Sequence, residues 1–372
     1  MDFALSRELE RYQERVRDAV AEIVAPVARE ADEKGEFRRD VIDRLVATGT
    51  PAWGLEHGSL ALSIFYEELG RADSSVRGFF TVQLGLVLTC VMVSGSAEQR
   101  RRWAASLAQV KEIGCYALTE PEAGSDARSL STHADRDQEG WVINGEKHWI
   151  TNGGAADLAL VFSGSERGMV AFLIPTDTPG FEREPMPGRE LGHRASDHVR
   201  MRFRGLRVPH EAVLGEVGKG YQVATGGLQH GRLGVASGAV GIHQACLDAC
   251  VEFGRERRQF GRRIGDFEMI QAALADMKAE LDASRLLARR AAWLLQTGRD
   301  ASQALAVAKL YCCDAALRAA DQAILIHGAR GYSSEFPVER YWRDAKGMQI
   351  YEGTSHIQRV IVARSLMGKD EN

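Results

Sequence analysis

The spacing of apolar residues changes twice along this chain of 372 residues, and that change limits the folds open to it. From Leu5 to about Gln109, and again from about Gly220 to the end, apolar residues recur at helical spacing. Between Ile113 and Val213, short β-branched and aromatic runs alternate with turns. We therefore predict a mainly α protein with a central β domain: a helical domain (residues 1–112), a β domain (113–218) and a helical bundle (219–372).

Local signals refine this outline. The spacing of Tyr12, Val16 and Val20 predicts a first helix, which should end at a charged break over residues 29–40. The apolar run 79–93 predicts a buried helix, and Asn144-Gly145 is typical of a hairpin turn between two strands.

Composition excludes several classes of protein. A net charge of -4 provides no attraction for nucleic acid. The six cysteines show no CxxC or Cys/His metal spacing, which favours reduced thiols and no metal. The N-terminus lacks the apolar core of a signal peptide, and no run of about 18 apolar residues is present. We expect a cytoplasmic protein without a membrane span.

A carboxylate stands directly before a predicted helix near the C-terminus. Ser355 and Gln358 have capping-box spacing, which leaves Glu352 on the approach loop, within reach of a ligand at the helix end. The helix dipole lowers the pKa of such a group and burial raises it, so a general base near neutral pH requires burial to dominate. Taken alone, the motif also suits an ordinary acidic residue at a helix start.

Two segments of the β zone carry polar and aromatic groups. Residues 116–126 end a strand in a loop rich in hydroxyls and small residues, which offers donors to a heterocycle or phosphate. In residues 145–154, Trp149 could lie against a planar cofactor and Thr151 could donate to its ring. Each segment alone could be a turn with a core tryptophan, but their combination favours a cofactor site.

Five segments, in this order, resemble the acyl-CoA dehydrogenases: residues 116–126, 149–153, 257–261, 337–346 and 351–358. The resemblance covers essentially the whole chain. It implies an N-terminal helical domain, a middle β domain of barrel or sandwich form, and a C-terminal four-helix bundle. It also implies FAD between the last two domains and a homo-oligomer, either a tetramer or a dimer.

The resemblance assigns roles to individual residues. Glu352 matches the catalytic base. The residues matching FAD-contacting positions are Tyr116, Leu118, Thr119, Gly124, Ser125, Trp149, Ile150, Thr151, Arg257, Phe260, Gly328, Tyr351 and Thr354. Those matching positions near the substrate are Ser125, Arg232, Gly353 and Arg364.

The implied reaction is α,β-dehydrogenation of an acyl-CoA to a trans-2-enoyl-CoA. Glu352 would remove the α-proton while the flavin N5 accepts the β-hydride. Electrons would leave to an electron-transfer flavoprotein or another acceptor. Some family members carry the base on an earlier helix, at a position that matches Gly231, which has no side chain.

Three departures from the family pattern concern the cofactor and the substrate. Glu268 and Leu325 stand where glutamines are usual near FAD, and Arg330 could supply a phosphate contact instead. The stretch 49–58, which helps to bound the acyl pocket in the family, is shorter than usual. The first two departures concern the outer contacts of FAD, and the shortened stretch favours an altered substrate.

Other functions stay open on this sequence. The alternative within the family is a dehydrogenase or oxidase of a small acyl group held on an acyl carrier protein, as in natural-product biosynthesis. A flavin oxidase or monooxygenase is a further possibility, since solvent access to the flavin decides whether oxygen reacts. A different class, a non-catalytic thioester-binding scaffold, is disfavoured because both the base and the flavin loops are present.

Overall fold

The structure, a computed structural model, describes residues 4–368, and these begin with a helical part. Its helices are α1 (Arg7–Ile23), α2 (Ala25–Lys34), α3 (Arg39–Ala47), α4 (Thr50–Glu56), α5 (Ser59–Ala72), α6 (Ser74–Phe80), α7 (Thr89–Ser94) and α8 (Ala97–Ala108). A π-helical segment, Thr81–Leu88, joins α6 to α7. Such segments are rare and are frequently found at functional sites.

The middle part holds two four-stranded sheets that share a core. The strands are β1 (Gly114–Ala117), β2 (His133–Arg136), β3 (Trp141–Ile150), β4 (Leu158–Ser163), β5 (Val170–Pro175), β6 (Phe181–Pro185), β7 (Val199–Val208) and β8 (Val213–Leu214). One sheet has the order β1-β4-β5-β8 and the other β2-β3-β7-β6. β1 and β4 run parallel, with Gly114 opposite Leu158. Trp141 of one sheet contacts Phe172 of the other, with ring centroids 5.5 Å apart.

The last part is helical again. A 37-residue helix, α9 (Gly220–Glu256), leads into a short hairpin of β9 (Arg258–Gln259) and β10 (Arg262–Arg263). The remaining helices are α10 (Glu268–Gln296), α11 (Ser302–His327), α12 (Val338–Met348) and α13 (Ser355–Leu366). The predicted arrangement of helical, β and helical parts is confirmed. Its division at residues 112 and 218 stays a prediction.

One local prediction is wrong, and another is only partly right. Asn144-Gly145 is not a hairpin turn but lies inside β3, at a register shift against β7 between Ile143 and Gly145. Such a shift is typical of a β-bulge, which leaves the strand continuous. The charged break predicted over residues 29–40 is present but shorter, since α2 continues to Lys34 and α3 begins at Arg39, and the first helix ends earlier, at Ile23. Charges such as the Arg29–Glu33 pair, spaced i to i+4, are compatible with an exposed helix face.

The apolar segment that the sequence predicts as a buried helix also has the length of a membrane span. Ser74–Ser94 forms one helical run that is long and apolar enough to cross a membrane, although 72% of its apolar window is buried inside the protein. Length and composition alone therefore do not distinguish it from the buried core helix that the sequence predicts.

Glycines let α9 cross α5 at backbone contact. A Cβ added at Gly70 of α5 would lie 2.7 Å from the Cα of Gly238 on α9, a distance that real Cβ atoms do not adopt. Ser63 and Ser237 join the same two helices by a hydroxyl–hydroxyl bond of 2.7 Å. Any side chain at Gly70 would separate helices that carry the two halves of the core.

We expect Gly70→Ala to lower the free energy of unfolding by about 2–4 kcal/mol, since the backbone must move to admit the methyl group. Gly226→Ala is the matched control, because this α9 glycine has no atom within 4 Å of its would-be Cβ. It should be neutral or stabilising by roughly 0.5–1 kcal/mol. Urea unfolding followed by circular dichroism measures both, and equal stability of the two variants would contradict the close crossing.

Candidate active site

Glu352 lies in the loop between α12 and α13, in a backbone conformation that is unusual for its type. Its φ is +57°, in the left-handed region that non-glycine residues rarely occupy. The residue is partly buried, and its Oε2 is fully shielded, with no hydrogen-bond partner among residues 4–368. An unpartnered buried carboxylate oxygen is costly, and such groups concentrate where a ligand completes the site.

Three side chains fix this loop. The buried Lys309 of α11 donates to the carbonyls of Gly353 (2.8 Å) and Met348 (3.0 Å). Gln358 donates to the Gly353 carbonyl (2.8 Å), and the Thr354 hydroxyl caps α13 by accepting from the Ile357 N–H (3.2 Å). The predicted capping box of Ser355 and Gln358 is therefore wrong: Thr354 is the cap, and the Gln358 amide folds back onto the loop instead.

Burial determines the acidity of Glu352. Loss of water raises its pKa to about 7, and the positive charges of Lys309, Arg232 and Arg77 oppose that rise. Burial thus exceeds the opposing charges, which is the condition that a general base near neutral pH requires.

Gly231 of α9 touches the carboxylate of Glu352. A Cβ at Gly231 would lie 2.8 Å from the Glu352 Cδ, with the same distance to Leu86 Cδ2 of the π-helical segment. Gly231, which matches the position of the alternative base in the family, is thus directly beside the Glu352 carboxylate. One turn earlier on α9, a Cβ at Gly227 would contact the ring of Tyr116 at 3.7 Å. The end of β1 and the carboxylate therefore lie along the same helix face.

A buried ion pair joins the two polar segments of the β domain. Lys147 of β3 donates to Glu120 Oε1 (2.7 Å) and to the Leu118 carbonyl (3.0 Å), and both charged groups are inaccessible to water. Burial lowers the pKa of Lys147 to about 8. The His148 N–H also donates to the Thr119 carbonyl (2.9 Å). The structure therefore brings together the loop after β1 and the end of β3, as the cofactor hypothesis requires.

Two residues near the end of β3 have a left-handed backbone conformation. Trp149 has φ +59° and Asn152 has φ +66°, and the Trp149 side chain is 52% exposed. Asn152 is buried and donates to the carbonyls of Phe79 (3.2 Å) and Gly114 (3.3 Å), which fixes the segment between them. Strain of this kind persists where the surroundings enforce it and often marks ligand sites. An exposed, fixed indole next to a hydroxyl-rich loop fits a planar heterocyclic cofactor.

The other predicted residues divide into three groups. Leu118 and Ile150 are buried in the core, and the Tyr351 hydroxyl bonds to Arg77 (2.5 Å) inside the protein. Gly124 and Ser125 lie exposed in the loop after β1, while Thr119 and Thr151 are half-buried. Exposed positions near helix ends comprise Phe260 in the β9–β10 turn, Gly328 after α11, and Arg364 in the last turn of α13, with Arg257 half-buried at the end of α9.

The departures from the family pattern lie at the surface. The Glu268 side chain is 87% exposed and its Oε2 stands 4.0 Å from Arg262, too far for a strong pair. Leu325 is 67% exposed. Arg330 is 3.9 Å from Glu335 and exposed, so it stays available to an anion. The stretch 49–58 contains the short helix α4. Trp53 of this helix stacks on His57, which directly follows the helix, with ring centroids 3.6 Å apart.

The cysteines and histidines considered as metal ligands or bases show no arrangement of that kind among residues 4–368. Within residues 4–368 no group of three or more His, Cys, Asp or Glu residues could hold a metal ion, and all six cysteines are free and buried. His148 bonds Glu146 (2.6 Å) and His327 bonds the Ala323 carbonyl (2.8 Å), so both have structural partners. A groove of about 480 Å³ on the β domain is lined by charges of both signs, and Glu352 is not among its lining residues.

Sequence reasoning missed the residues that support the site. Lys309, Arg77 and the Lys147–Glu120 pair are all buried charges. The signal for Lys309 was present, because it interrupts an apolar, alanine-rich face between Leu305 and Cys312. A charge on a buried helix face usually has a specific partner or function.

Known proteins match this chain over nearly its whole length. Family profiles of acyl-CoA dehydrogenases match residues 6–111 (N-terminal domain), 115–206 (middle domain) and 218–367 (C-terminal domain). The mitochondrial short-chain specific acyl-CoA dehydrogenase of Mus musculus is 38% identical over 365 residues, covering 94% of this chain and 88% of that protein.

Solved structures show the same fold. Butyryl-CoA dehydrogenase from Megasphaera elsdenii is 34% identical with a TM-score of 0.95, covering 99% of this chain and 100% of that one. A glutaryl-CoA dehydrogenase from Mycobacterium smegmatis, in complex with FADH2, is 28% identical with a TM-score of 0.93, covering 98% and 96%. The prolyl acyl carrier protein oxidase AnaB is 28% identical with a TM-score of 0.92, covering 98% and 100%.

The fold and these matches define an oxidoreductase of the flavin-dependent class. The chain belongs to the acyl-CoA dehydrogenase family.

We expect Glu352→Gln to stabilise the protein at pH 8 but scarcely at pH 5. Burial raises the pKa of Glu352 from its ordinary value of 4.5 to about 7 in the folded protein, so wild-type stability falls as pH rises through this window. The neutral amide avoids that loss, and its advantage should reach about 1–3 kcal/mol at pH 8. Urea unfolding at both pH values measures it.

The exposed acid Glu166 provides the control, since Glu166→Gln should change stability equally at pH 5 and pH 8. A pH-independent effect of Glu352→Gln would show that the carboxylate is not held in a desolvated site.

Proposed function

We propose that this chain oxidises acyl thioesters to trans-2-enoyl thioesters with FAD, and that Glu352 is the catalytic base. The observation that carries the proposal is the shielded, unpartnered Oε2 of Glu352, whose pKa burial raises to about 7. A carboxylate with that pKa is ionised in a large fraction of molecules at neutral pH and still has the basicity to accept a proton.

The residues around Glu352 would orient the acid. Its left-handed backbone is held by Lys309 and Gln358 on the Gly353 carbonyl, so the side chain is fixed against Gly231. We assign the backbone N–H groups of this loop as the donors to the thioester oxygen. A donor there would stabilise negative charge as the α-proton moves to Glu352.

FAD would supply the acceptor for the β-hydride. We assign its binding to the loop after β1, the exposed Trp149 and Thr151, with Arg257, Phe260 and Gly328 as outer contacts. The supporting observation is that the Lys147–Glu120 pair and the His148–Thr119 bond fix the first two segments side by side. The complex with FADH2 of a relative with the same fold supports this cofactor.

Further properties belong to the same proposal. The similarity to short-chain and butyryl-CoA dehydrogenases supports a small acyl group. The 94% exposed Phe260, at a left-handed turn tip, supports a homo-oligomer in which a neighbouring subunit covers it. We also propose a cytoplasmic location and transfer of electrons to an electron-transfer flavoprotein.

A second candidate is a dehydrogenase or oxidase of carrier-protein-bound acyl groups. The similarity to the prolyl acyl carrier protein oxidase AnaB favours it. Both carriers present the thioester on the same pantetheine arm, so the site around Glu352 suits either. A panel of CoA and carrier-protein thioesters of one acyl group, compared by anaerobic flavin bleaching, distinguishes the two: bleaching at least about tenfold more efficient with one carrier assigns it. Reoxidation by air then separates oxidase from dehydrogenase.

We expect Glu352→Gln to retain the yellow flavin and to lose thioester-dependent bleaching by at least about 1,000-fold, because the amide cannot accept the α-proton. In the wild type, the bleaching rate should rise with pH through about 7 and level off above it, as Glu352 loses its proton. Stopped-flow absorbance under anaerobic conditions gives both results.

Glu166→Gln, which alters an exposed acid, should keep the wild-type rate and pH profile. Unchanged bleaching in Glu352→Gln would remove this residue as the base. A colourless protein that cannot be reconstituted with FAD would instead favour a thioester-binding scaffold.

A further inference from the structure

One segment of the β domain contacts both the proposed flavin site and the helix before the acidic loop. Residues 186–198, here called the bridging segment, connect β6 to β7. Near its start, the Met186 sulfur accepts from the Trp149 N–H (3.5 Å). Near its end, the Asp197 carboxylate accepts from the Ala155 N–H (2.6 Å). Both bonds go to the end of β3 and the turn after it, where we assign part of the flavin site.

The middle of the bridging segment docks on α12. A Cβ at Gly192 would lie 2.5 Å from the carbonyl of Arg343, so the two backbones are in contact. The His193 N–H donates to Asp344 Oδ1 (2.7 Å), and His193 has φ +52°, in the left-handed region. Histidine is one of the few non-glycine types that are enriched there. Because these contacts use backbone atoms of the segment, its docking on α12 does not depend on the His193 ring.

The ring of His193 extends this contact to the acidic loop. It is buried against the bare backbone of Gly347, where a Cβ would approach the ring Cδ2 to 2.7 Å. Its Nε2 is 3.3 Å from the hydroxyl of Tyr351, and the two rings meet edge to face with centroids 5.3 Å apart. Tyr351 directly precedes Glu352, so this contact ends one residue from the proposed base.

The protons along this contact can be assigned from its partners. The Tyr351 oxygen accepts from the Arg77 guanidinium at 2.5 Å, which leaves its own proton for another acceptor. Burial lowers the pKa of His193 to about 3, so the ring is neutral and carries a single N–H. We assign that proton to Nδ1, facing the Ser74 carbonyl, and the Tyr351 proton to a bond with Nε2. The other tautomer would donate from Nε2 to the Asp344 carbonyl (3.1 Å).

We propose that His193 is a positioning residue, which through its hydrogen bond to Tyr351 holds the acidic loop, and with it Glu352, in register with the flavin side of the β domain. This inference rests on the proposed function and adds a residue that acts through Tyr351 rather than on the substrate. Lys309 and Gln358 hold the loop from the C-terminal helices, whereas His193 ties it to the β domain.

The first test measures bleaching in His193→Leu, which removes the ring nitrogens and keeps the backbone contacts on α12. We expect the rate at saturating thioester to fall at least about tenfold, and the half-saturating concentration to stay within about twofold, because displacement of a base slows the chemical step more than binding. The pH midpoint of bleaching should fall from about 7 by about one unit, since a loosened loop admits water to the carboxylate. Lower stability alone would move neither quantity.

The second test needs no turnover. In the wild type, Glu352→Gln should shift the urea midpoint more at pH 8 than at pH 5, because the acid is held out of water. In the His193→Leu background this difference between the two pH values should fall to less than half, since the acid is already hydrated. A full difference in that background would overturn the positioning role.

Three further variants identify the bond responsible. His193→Gln keeps an acceptor for the Tyr351 hydroxyl and should retain the wild-type pH midpoint and most of the rate. Tyr351→Phe should lower the midpoint as His193→Leu does, and the two changes together should not add. His243→Leu is the control, because it removes a fully buried imidazole from α9 and should leave rate and midpoint unchanged.

Flavin content and circular dichroism show that each variant is folded. If His193→Leu does not fold, Tyr351→Phe decides by the same two tests. Additive effects of the His193 and Tyr351 changes would assign the effect of Tyr351 to its bond with Arg77 and overturn the proposal. A His193→Gln variant that behaves like His193→Leu would also overturn it, because the hydrogen bond would then not be responsible.

The outcomes separate this inference from the proposed function. Bleaching by the wild type with an unchanged rate and midpoint in His193→Leu refutes the role of His193 and leaves the dehydrogenase intact. If no thioester bleaches the wild type, yet the stability effect of Glu352→Gln depends on His193, the positioning role is supported and the dehydrogenase is refuted.

Discussion

The burial of one carboxylate organises the site. Glu352 is held out of water against the bare backbone of Gly231, in a loop whose carbonyls are fixed by Lys309 and Gln358. Desolvation makes the group basic, and the nearby positive charges keep it from being permanently protonated. If water entered this position, the pKa of the carboxylate would return towards its ordinary value, and the group would be less suited to the role of base that we propose for it.

The supporting charges are divided between two parts of the chain. Lys309 fixes the acidic loop from within the C-terminal helices, whereas the Lys147–Glu120 pair fixes the loop after β1 within the β domain. Neither cation is at the surface, so each is tied to defined oxygen atoms. Buried cations with defined hydrogen-bond partners favour one arrangement of these loops over many, as the proposed cofactor site and base would require.

The sequence predicted the order of helical and β parts because periods of 3.6 and 2 residues are properties of single segments. It also placed Glu352 on a loop before a helix. It failed where the outcome depends on distant atoms: Asn144-Gly145 has the composition of a turn, yet pairing with β7 keeps β3 continuous. The cap at Thr354 and the roles of Lys309 and Arg77 depend on contacts across more than 40 residues or on backbone angles, neither of which a local pattern reports.

The absence of a side chain at Gly231 has a consequence for how such a site can be altered. The space that a side chain would need at this position is already filled by the Glu352 carboxylate and by Leu86. An acid transferred to α9 therefore cannot coexist with the present one in this packing. If Glu352 is the base, as we propose, its relocation to α9 along an evolutionary path would have to pass through a protein without either acid, or need a second substitution in the same step.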